Sequence, residues 1–259
     1  MGDYELVRYS KSKIKKAGEY IAKHDSRSED FEYNIGIVDN WRASHAYPLN
    51  CITAIVRGAL VEKENYYIVQ RLKRCESIVR KLRRRNRTSL DRMQDLGGCR
   101  VIVPSFKDLY DTIKLIKDAI LANGHIIEDE DDYLNDPPKH SGYRCYHLIV
   151  KYQANDPYNN MYVEIQVRTR LQHSWATAVE IIDTVENETL KAGTGNEDFR
   201  YFFKLASALF SIEEGTTIVE GVPKDKFEII NELYRIENHY HIREKLSAYS
   251  NPESVKLVC

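Results

Sequence analysis

The chain has 259 residues, 42% hydrophobic and 30% charged, which excludes wholesale disorder and fits one large domain or a domain with helical extensions. Its 38 Lys and Arg balance 39 Asp and Glu, and a net charge of −1 excludes a uniformly basic nucleic-acid coat. Eighteen Tyr against seven Phe favour wet, half-buried surfaces over a large dry core.

Residues 1–66 read as a helical N-terminal extension with a loop around residues 25–30. Across residues 68–82, Ile68, Leu72, Cys75, Val79 and Leu82 predict one face of a single helix. Residues 100–104 (R-V-I-V-P) read as a short β-branched strand closed by proline. Leu109, Ile113, Ile116 and Ile120 predict a helix over residues 106–122, with Gly124 just past its end. An acidic run at residues 128–132 and Pro137-Pro138 follow. Residues 143–152 and 161–169 read as strands joined by a turn-rich N-D-P-Y-N-N, a hairpin. Leu171, Trp175, Val179 and Ile182 mark another helix. Residues 181–259 read as a helical C-terminal extension, broken near residues 193–195 and 221–223. The core over residues 67–180 is thus α+β, a mixed β-sheet flanked by helices.

Cys51, Cys75, Cys99, Cys145 and Cys259 are odd in number and widely spaced, with no C-x-x-C pair. This predicts neither a disulfide framework nor a structural zinc site, and a reducing cytoplasmic setting. The N-terminus is polar and Lys-rich, unlike a signal peptide, and no apolar run approaches the ~20 residues that span a bilayer.

Four groups of residues carry chemistry. Along residues 161–169 side chains alternate, so Val163, Ile165 and Val167 face helices while Glu164, Gln166 and Arg168 face the other way. A carboxylate, an amide and a guanidinium in one row suit a charged substrate; a solvated strand face is the plainer alternative. In D-L-G-G-C-R, Asp95 precedes a strand, and the glycines allow a tight turn and close ligand approach. Asp95 there suits a divalent metal, the alternative being a capped helix-to-strand turn. From Arg71 to Arg87 nine Lys or Arg stand against one acid, Glu76. Lys73, Ser77 and Lys81 recur every four residues as a row of donors for a polyphosphate, and Arg83, Arg84, Arg85 and Arg87 continue the charge. A solvated face is the alternative. In S-G-Y-R-C-Y-H, a strand would put Tyr143, Cys145 and His147 on one face, suited to stacking on a base or to packing on a helix. A P-loop, a G-x-G-x-x-G turn and a kinase signature set are all absent. His24-Asp25 has no companion metal-spaced residues and reads as chance.

R-L-K-R-C-E-S-I-V-R-K (71–81), D-L-G-G-C-R-V-I (95–102), S-G-Y-R-C-Y-H (141–147) and V-E-I-Q-V-R-T-R-L-Q-H-S-W-A (163–176), in this order, resemble the RelA/SpoT synthetase domain over about residues 65–180. The resemblance implies a nucleotidyltransferase-like fold and pyrophosphoryl transfer: ATP gives its β,γ-pyrophosphate to a ribose 3′-hydroxyl, leaving AMP. It implies Arg71 stacked on adenine, Lys73, Ser77 and Lys81 on the ATP phosphates, and Asp95 and Glu164 on Mg²⁺. Glu164 would also help deprotonate the 3′-hydroxyl. Tyr143 would stack on the acceptor base, with Arg100, His147, Gln166, Arg168 and His173 lining the acceptor and phosphate side. The residue chemistry agrees, because Mg²⁺ takes one or two carboxylates and completes its shell from phosphate and water. Such transfer needs positioning and charge neutralisation more than covalent chemistry.

The length resembles that of a single-domain small alarmone synthetase. Residues 1–66 hold only His24 and His45, which predicts synthesis without hydrolysis. N-W-R-A-S-H-A-Y-P-L-N (40–50) and the segment from Arg168 resemble toxic small synthetases, some of which pyrophosphorylate the 3′-terminal adenosine of tRNA. Ser141 also stands where alarmone makers usually carry Asn. Two acceptors stay open: GDP or GTP giving (p)ppGpp, the family's commoner activity, and the CCA end of tRNA. In the second case Arg83, Arg84, Arg85 and Arg87 would hold RNA, and an antitoxin protein would be a partner. A catalytically dead nucleotide- or RNA-binding module is a third reading. No membrane partner is expected, and self-association is left open.

Overall fold

Serine side chains start the first two helices. Ser10 Oγ accepts from Lys13 N–H ahead of α1 (Lys11–Lys23), and Ser28 Oγ accepts from Phe31 N–H ahead of α2 (Glu29–Ser44). α3 (Ala46–Ala59) follows after His45. In this computed structural model the described residues are 4–24, 28–84, 89–134, 140–190 and 193–250, so Pro137-Pro138 and residues 25–27 of the expected loop lie outside them.

The single helix expected over residues 68–82 is instead a strand and a short helix, β1 (Tyr67–Leu72) and α4 (Cys75–Leu82). β1 pairs antiparallel with β2 (Gly97–Val103), Ile68 opposite Val101 and Arg71 opposite Gly98. Tyr67, Ile68 and Val69 favour extended backbone, and the ladder with β2 outweighs an apolar spacing that happened to run on into α4. The buried face of α4 is Ile78 and Leu82, with Cys75 and Val79 only half-buried.

β2 starts at Gly97, earlier than the expected Arg100, so both glycines of D-L-G-G lie inside a strand rather than in a turn. A Cβ added at Gly97 would sit 3.4 Å from Leu49 Cβ, so glycine there lets α3 pack close to the sheet. α5 (Phe106–Ala122) matches its expected span. β3 (Ile126–Asp132) is formed by the acidic run, which shows no apolar alternation and so gives no strand signal. β4 (Tyr146–Lys151) and β5 (Tyr162–Thr169) form the expected hairpin, closed by Tyr152 N–H to Met161 O and Asn160 N–H to Tyr152 O, both 2.8 Å. β4 begins three residues later than expected. Gly142 has φ +84° and Arg144 is buried, which takes residues 142–145 out of strand geometry.

The strands form one five-stranded mixed sheet in the order β1-β2-β5-β4-β3, so β1 and β3 are its edges. α6 (Arg170–Val185), α7 (Glu197–Glu214), α8 (Lys226–Tyr240) and α9 (Ile242–Ser250) complete the chain, with helix breaks where the glycines predicted them. Two compact units result. One takes the described residues within 1–103, 107–131 and 147–167, and the other those within 104–106, 132–146 and 168–259. The first packs helices on the sheet through residues such as Ile52, Val101 and Ile165. The second is centred on Trp175, Phe203, Leu205 and Ile229. Among the described residues no helix is long and apolar enough to cross a membrane.

Candidate active site

β5 alternates as its sequence requires, with Val163, Ile165 and Val167 fully buried and Glu164 and Gln166 only partly so. His147 Nδ1–H donates to Glu164 Oε1 at 2.9 Å, and Gln166 Nε2 donates to Oε2 at 2.7 Å. Arg100 Nε–H donates to Gln166 Oε1 at 3.4 Å, so one chain of donors runs from β2 to the carboxylate. Burial pushes the Glu164 carboxyl up, as does the nearby charge of Asp95. The bonds from His147 and Gln166 outweigh both and hold it below the ordinary carboxylate value.

Asp95 sits in the turn before β2. Lys73 Nζ lies 2.8 Å and Lys81 Nζ 2.9 Å from the same oxygen, Oδ2. Lys73 belongs to the β1–α4 turn rather than to the helix, so the expected helical row of Lys73, Ser77 and Lys81 is not one face of a helix. The two lysines nevertheless converge. Burial works to raise the Asp95 carboxyl, but the two ammonium groups bring it below its ordinary value. Asp95 Oδ1 is buried and has no hydrogen-bond partner among the described residues. Ser77 is half-buried on α4, and Arg71 is exposed on β1 opposite Gly98.

An unpartnered buried oxygen of Asp95, close enough to Glu164 for the charges to oppose each other, suits a hard divalent cation such as Mg²⁺. Among the described residues no cluster of three or more His, Cys, Asp or Glu could hold a metal. A cation here would therefore draw most of its ligands from phosphate and water.

Three expected residues lie in the second unit. Arg168 Nη2 donates to Tyr143 Oη at 3.2 Å, and its guanidinium lies 5.6 Å from the Tyr143 ring centroid. Trp175 flanks the same ring at 6.2 Å. Arg168 is 3% exposed; burial disfavours its charge, and Cys145, Tyr143 and Glu180 favour it more strongly. Tyr143 and Cys145 precede β4, so they do not share a strand face with His147 as expected. His173 lies in the first turn of α6, which opens on a Thr169/Gln172 capping box. Glu214 accepts from both Thr169 Oγ1 and Gln172 Nε2.

Periodicity does not signal Arg144, yet it fastens the Tyr143 segment. Its buried guanidinium donates to Ser211 Oγ, Thr217 O and Leu134 O. Ser207 Oγ donates to Gly142 O at 2.7 Å. The arginine of S-G-Y-R was the available clue. Of the four arginines expected to hold RNA, Arg83 donates to Ile21 O and His24 O at the end of α1, and Arg84 is exposed. Arg85 and Arg87 lie outside the described residues.

Residues 70–182 match the family described as "Region found in RelA / SpoT proteins". Just under half of the chain is thus similar to that RelA/SpoT region. All the candidate site residues fall within that region, whereas residues 40–50 fall outside it. The GTP pyrophosphokinases YjbM and YwaC of Bacillus subtilis (strain 168) are 34% identical over 116 residues and 32% over 114. These matches take in 43% and 41% of this chain, and 53% and 52% of the relatives. The chain thus spans about half the length of the curated relatives it matches. The crystal structure of small alarmone synthetase 1 from Bacillus subtilis aligns with a TM-score of 0.53 at 26% identity, over 65% of this chain and 87% of that one. Small alarmone synthetase 2 from the same organism has the same fold, with a TM-score of 0.55 at 23% identity over 72% and 95%. The matched segment therefore lies in a nucleotidyltransferase-like α+β fold.

Proposed function

We propose that this chain transfers the β,γ-pyrophosphate of ATP to the 3′-hydroxyl of GDP or GTP, without a hydrolase activity. The observation that carries the reading is the convergence of Lys73 and Lys81 on Asp95 beside Glu164, inside a region shared with GTP pyrophosphokinases. In the reaction the 3′-oxygen attacks the β-phosphorus, the bond from that phosphorus to the α-phosphate oxygen breaks, and AMP leaves. The hydroxyl proton passes to the Glu164 carboxylate, which His147 and Gln166 hold in place. Lys73, Ser77 and Lys81 take the donor phosphates, and Arg71, exposed opposite a glycine, stacks on adenine. Asp95 and Glu164 would hold Mg²⁺, which supplies charge neutralisation between phosphates. Tyr143, backed by Arg168, stacks on the acceptor base, and Arg100, Gln166 and His173 line that side.

A second acceptor, the 3′-terminal adenosine of tRNA, is favoured by residues 40–50 and by Ser141. Incubation with ATP labelled in the γ-phosphate, plus GDP, GTP or deacylated tRNA, separates the readings. Label in GDP or GTP is expected. Label in tRNA alone overturns that acceptor, and label in none of them overturns pyrophosphoryl transfer.

A further inference from the structure

α2 contributes no residue to the candidate active site, yet three side chains on it, Asp39, Trp41 and Arg42, hold segments that do. Arg42 Nε–H donates to Lys73 O at 2.8 Å. Its Nη1 pairs with Asp39 Oδ1 at 3.0 Å, and that same oxygen accepts from Cys75 Sγ at 3.3 Å. The Asp39–Arg42 pair thus grips the start of α4 on both sides of Arg74. Trp41 Nε1–H donates to Leu90 O at 3.2 Å, at the head of the segment that leads to Asp95.

Lys73 lies between the end of β1 and the start of α4, so neither ladder nor helix satisfies its carbonyl. Arg74, the residue that caps α4, gives no side-chain cap bond. Arg42 satisfies the Lys73 carbonyl from one side. From the other side Lys73 N–H donates to Leu96 O at 2.8 Å, next to Asp95. With its backbone fixed at both groups, a flexible four-carbon stem delivers Nζ onto Asp95 Oδ2.

We infer that Arg42 is a positioning residue for Lys73: it fixes the point from which the Lys73 ammonium reaches Asp95 and, on the function proposed above, the donor phosphates. Arg42 acts only through Lys73. Arg42 suits the role because separate nitrogens of its planar fork serve the carbonyl and the Asp39 carboxylate at once.

The test compares the full-length chain with Arg42→Met, which keeps the apolar stem and removes both donors. Lysines are acetylated with acetic anhydride in the absence of nucleotide and mapped by mass spectrometry. Binding of Mg²⁺ with a non-hydrolysable ATP analogue is measured in parallel. Arg42→Met is expected to raise the rate of Lys73 acetylation about threefold or more, because a loosened turn leaves Asp95 more often. Lys117, paired with Glu130, serves as the control and should keep its rate. Analogue binding should weaken about tenfold. An unchanged Lys73 rate overturns the inference, and so does an equal rise at Lys117, which would mean general loosening. If Arg42→Met does not fold, Asp39→Asn is read in the same way, with a rise confined to Lys73 supporting the inference and no rise overturning it. A wild-type chain that fails to bind the analogue overturns the proposed function, while a rise confined to Lys73 in the variant still supports the positioning role.

Discussion

Glu164 faces a crowded polar row while its two neighbours are buried, so Glu164→Gln removes a charge without disturbing the sheet. This variant should fold normally and lose transfer, and so should Asp95→Asn. Labelled-ATP turnover checks this, and activity within about threefold of wild type in either variant would refute the metal-site assignment. Lys73→Ala and Lys81→Ala should weaken ATP binding roughly tenfold each and leave the acceptor constant alone. A raised acceptor constant with unchanged ATP binding would reverse the assignment. His45 gives a pH prediction. It is fully buried against Trp41, and burial lowers its pKa from 6.5 to about 4. The folded chain therefore keeps His45 neutral while the unfolded chain takes up a proton below about 6.5. Its contribution to stability is complete above that pH and is lost as pH falls towards 4, by up to ~3 kcal/mol. Denaturation in urea across this range should show a flatter pH dependence in His45→Leu, and an unchanged slope would exclude the effect. The polar row of β5 was legible because strand periodicity is local. The meeting of Lys73 and Lys81 on Asp95 was not, since it depends on β1 folding back along β2.

At the scale of elements, α5 and the β4–β5 hairpin carry their own signals: α5 has the expected span, and the hairpin forms with β4 three residues late. β1 and α4 merged into one apparent helix because two short elements happened to continue one apolar spacing, and only pairing with β2 distinguishes them. The segment before β4 shows the same limit. Its conformation depends on Arg144 and Ser207 finding partners far along the chain. Gly142 makes this testable. It has φ +84°, and an added Cβ would lie 2.8 Å from Ser207 Cβ. Gly142→Ala should cost ~2–4 kcal/mol, from strain plus overpacking. Gly124 has φ +78° with nothing within 4 Å, so Gly124→Ala should cost only ~1–2 kcal/mol. Urea midpoints that rank the two variants the other way would refute the close packing of the Tyr143 segment on α7.

For the whole molecule, a net charge of −1 hides strong local contrasts. If tRNA is the acceptor, Arg84→Glu should weaken its labelling and flatten the log–log salt slope by about 0.7 per lost phosphate contact, with little change for GDP. Equal labelling of tRNA by both proteins would remove Arg84 from RNA binding. β3 carries the opposite charge in a concentrated form. Glu128, Asp129, Glu130, Asp131 and Asp132 follow one another without a break on an edge strand, where Lys117 pairs with Glu130 and Lys151 lies 3.8 Å from Glu128. A sheet edge offers open backbone donors and acceptors to any passing chain, and this row makes a second copy's β3 a poor match for it. The acidic strand thus acts as a guard against fibrous self-association, and salt weakens the guard because the Debye length is only about 8–10 Å near physiological ionic strength. Replacing Asp129, Asp131 and Asp132 with Asn should shorten the lag before light scattering rises in an agitated solution, most clearly at low salt where the native row repels best.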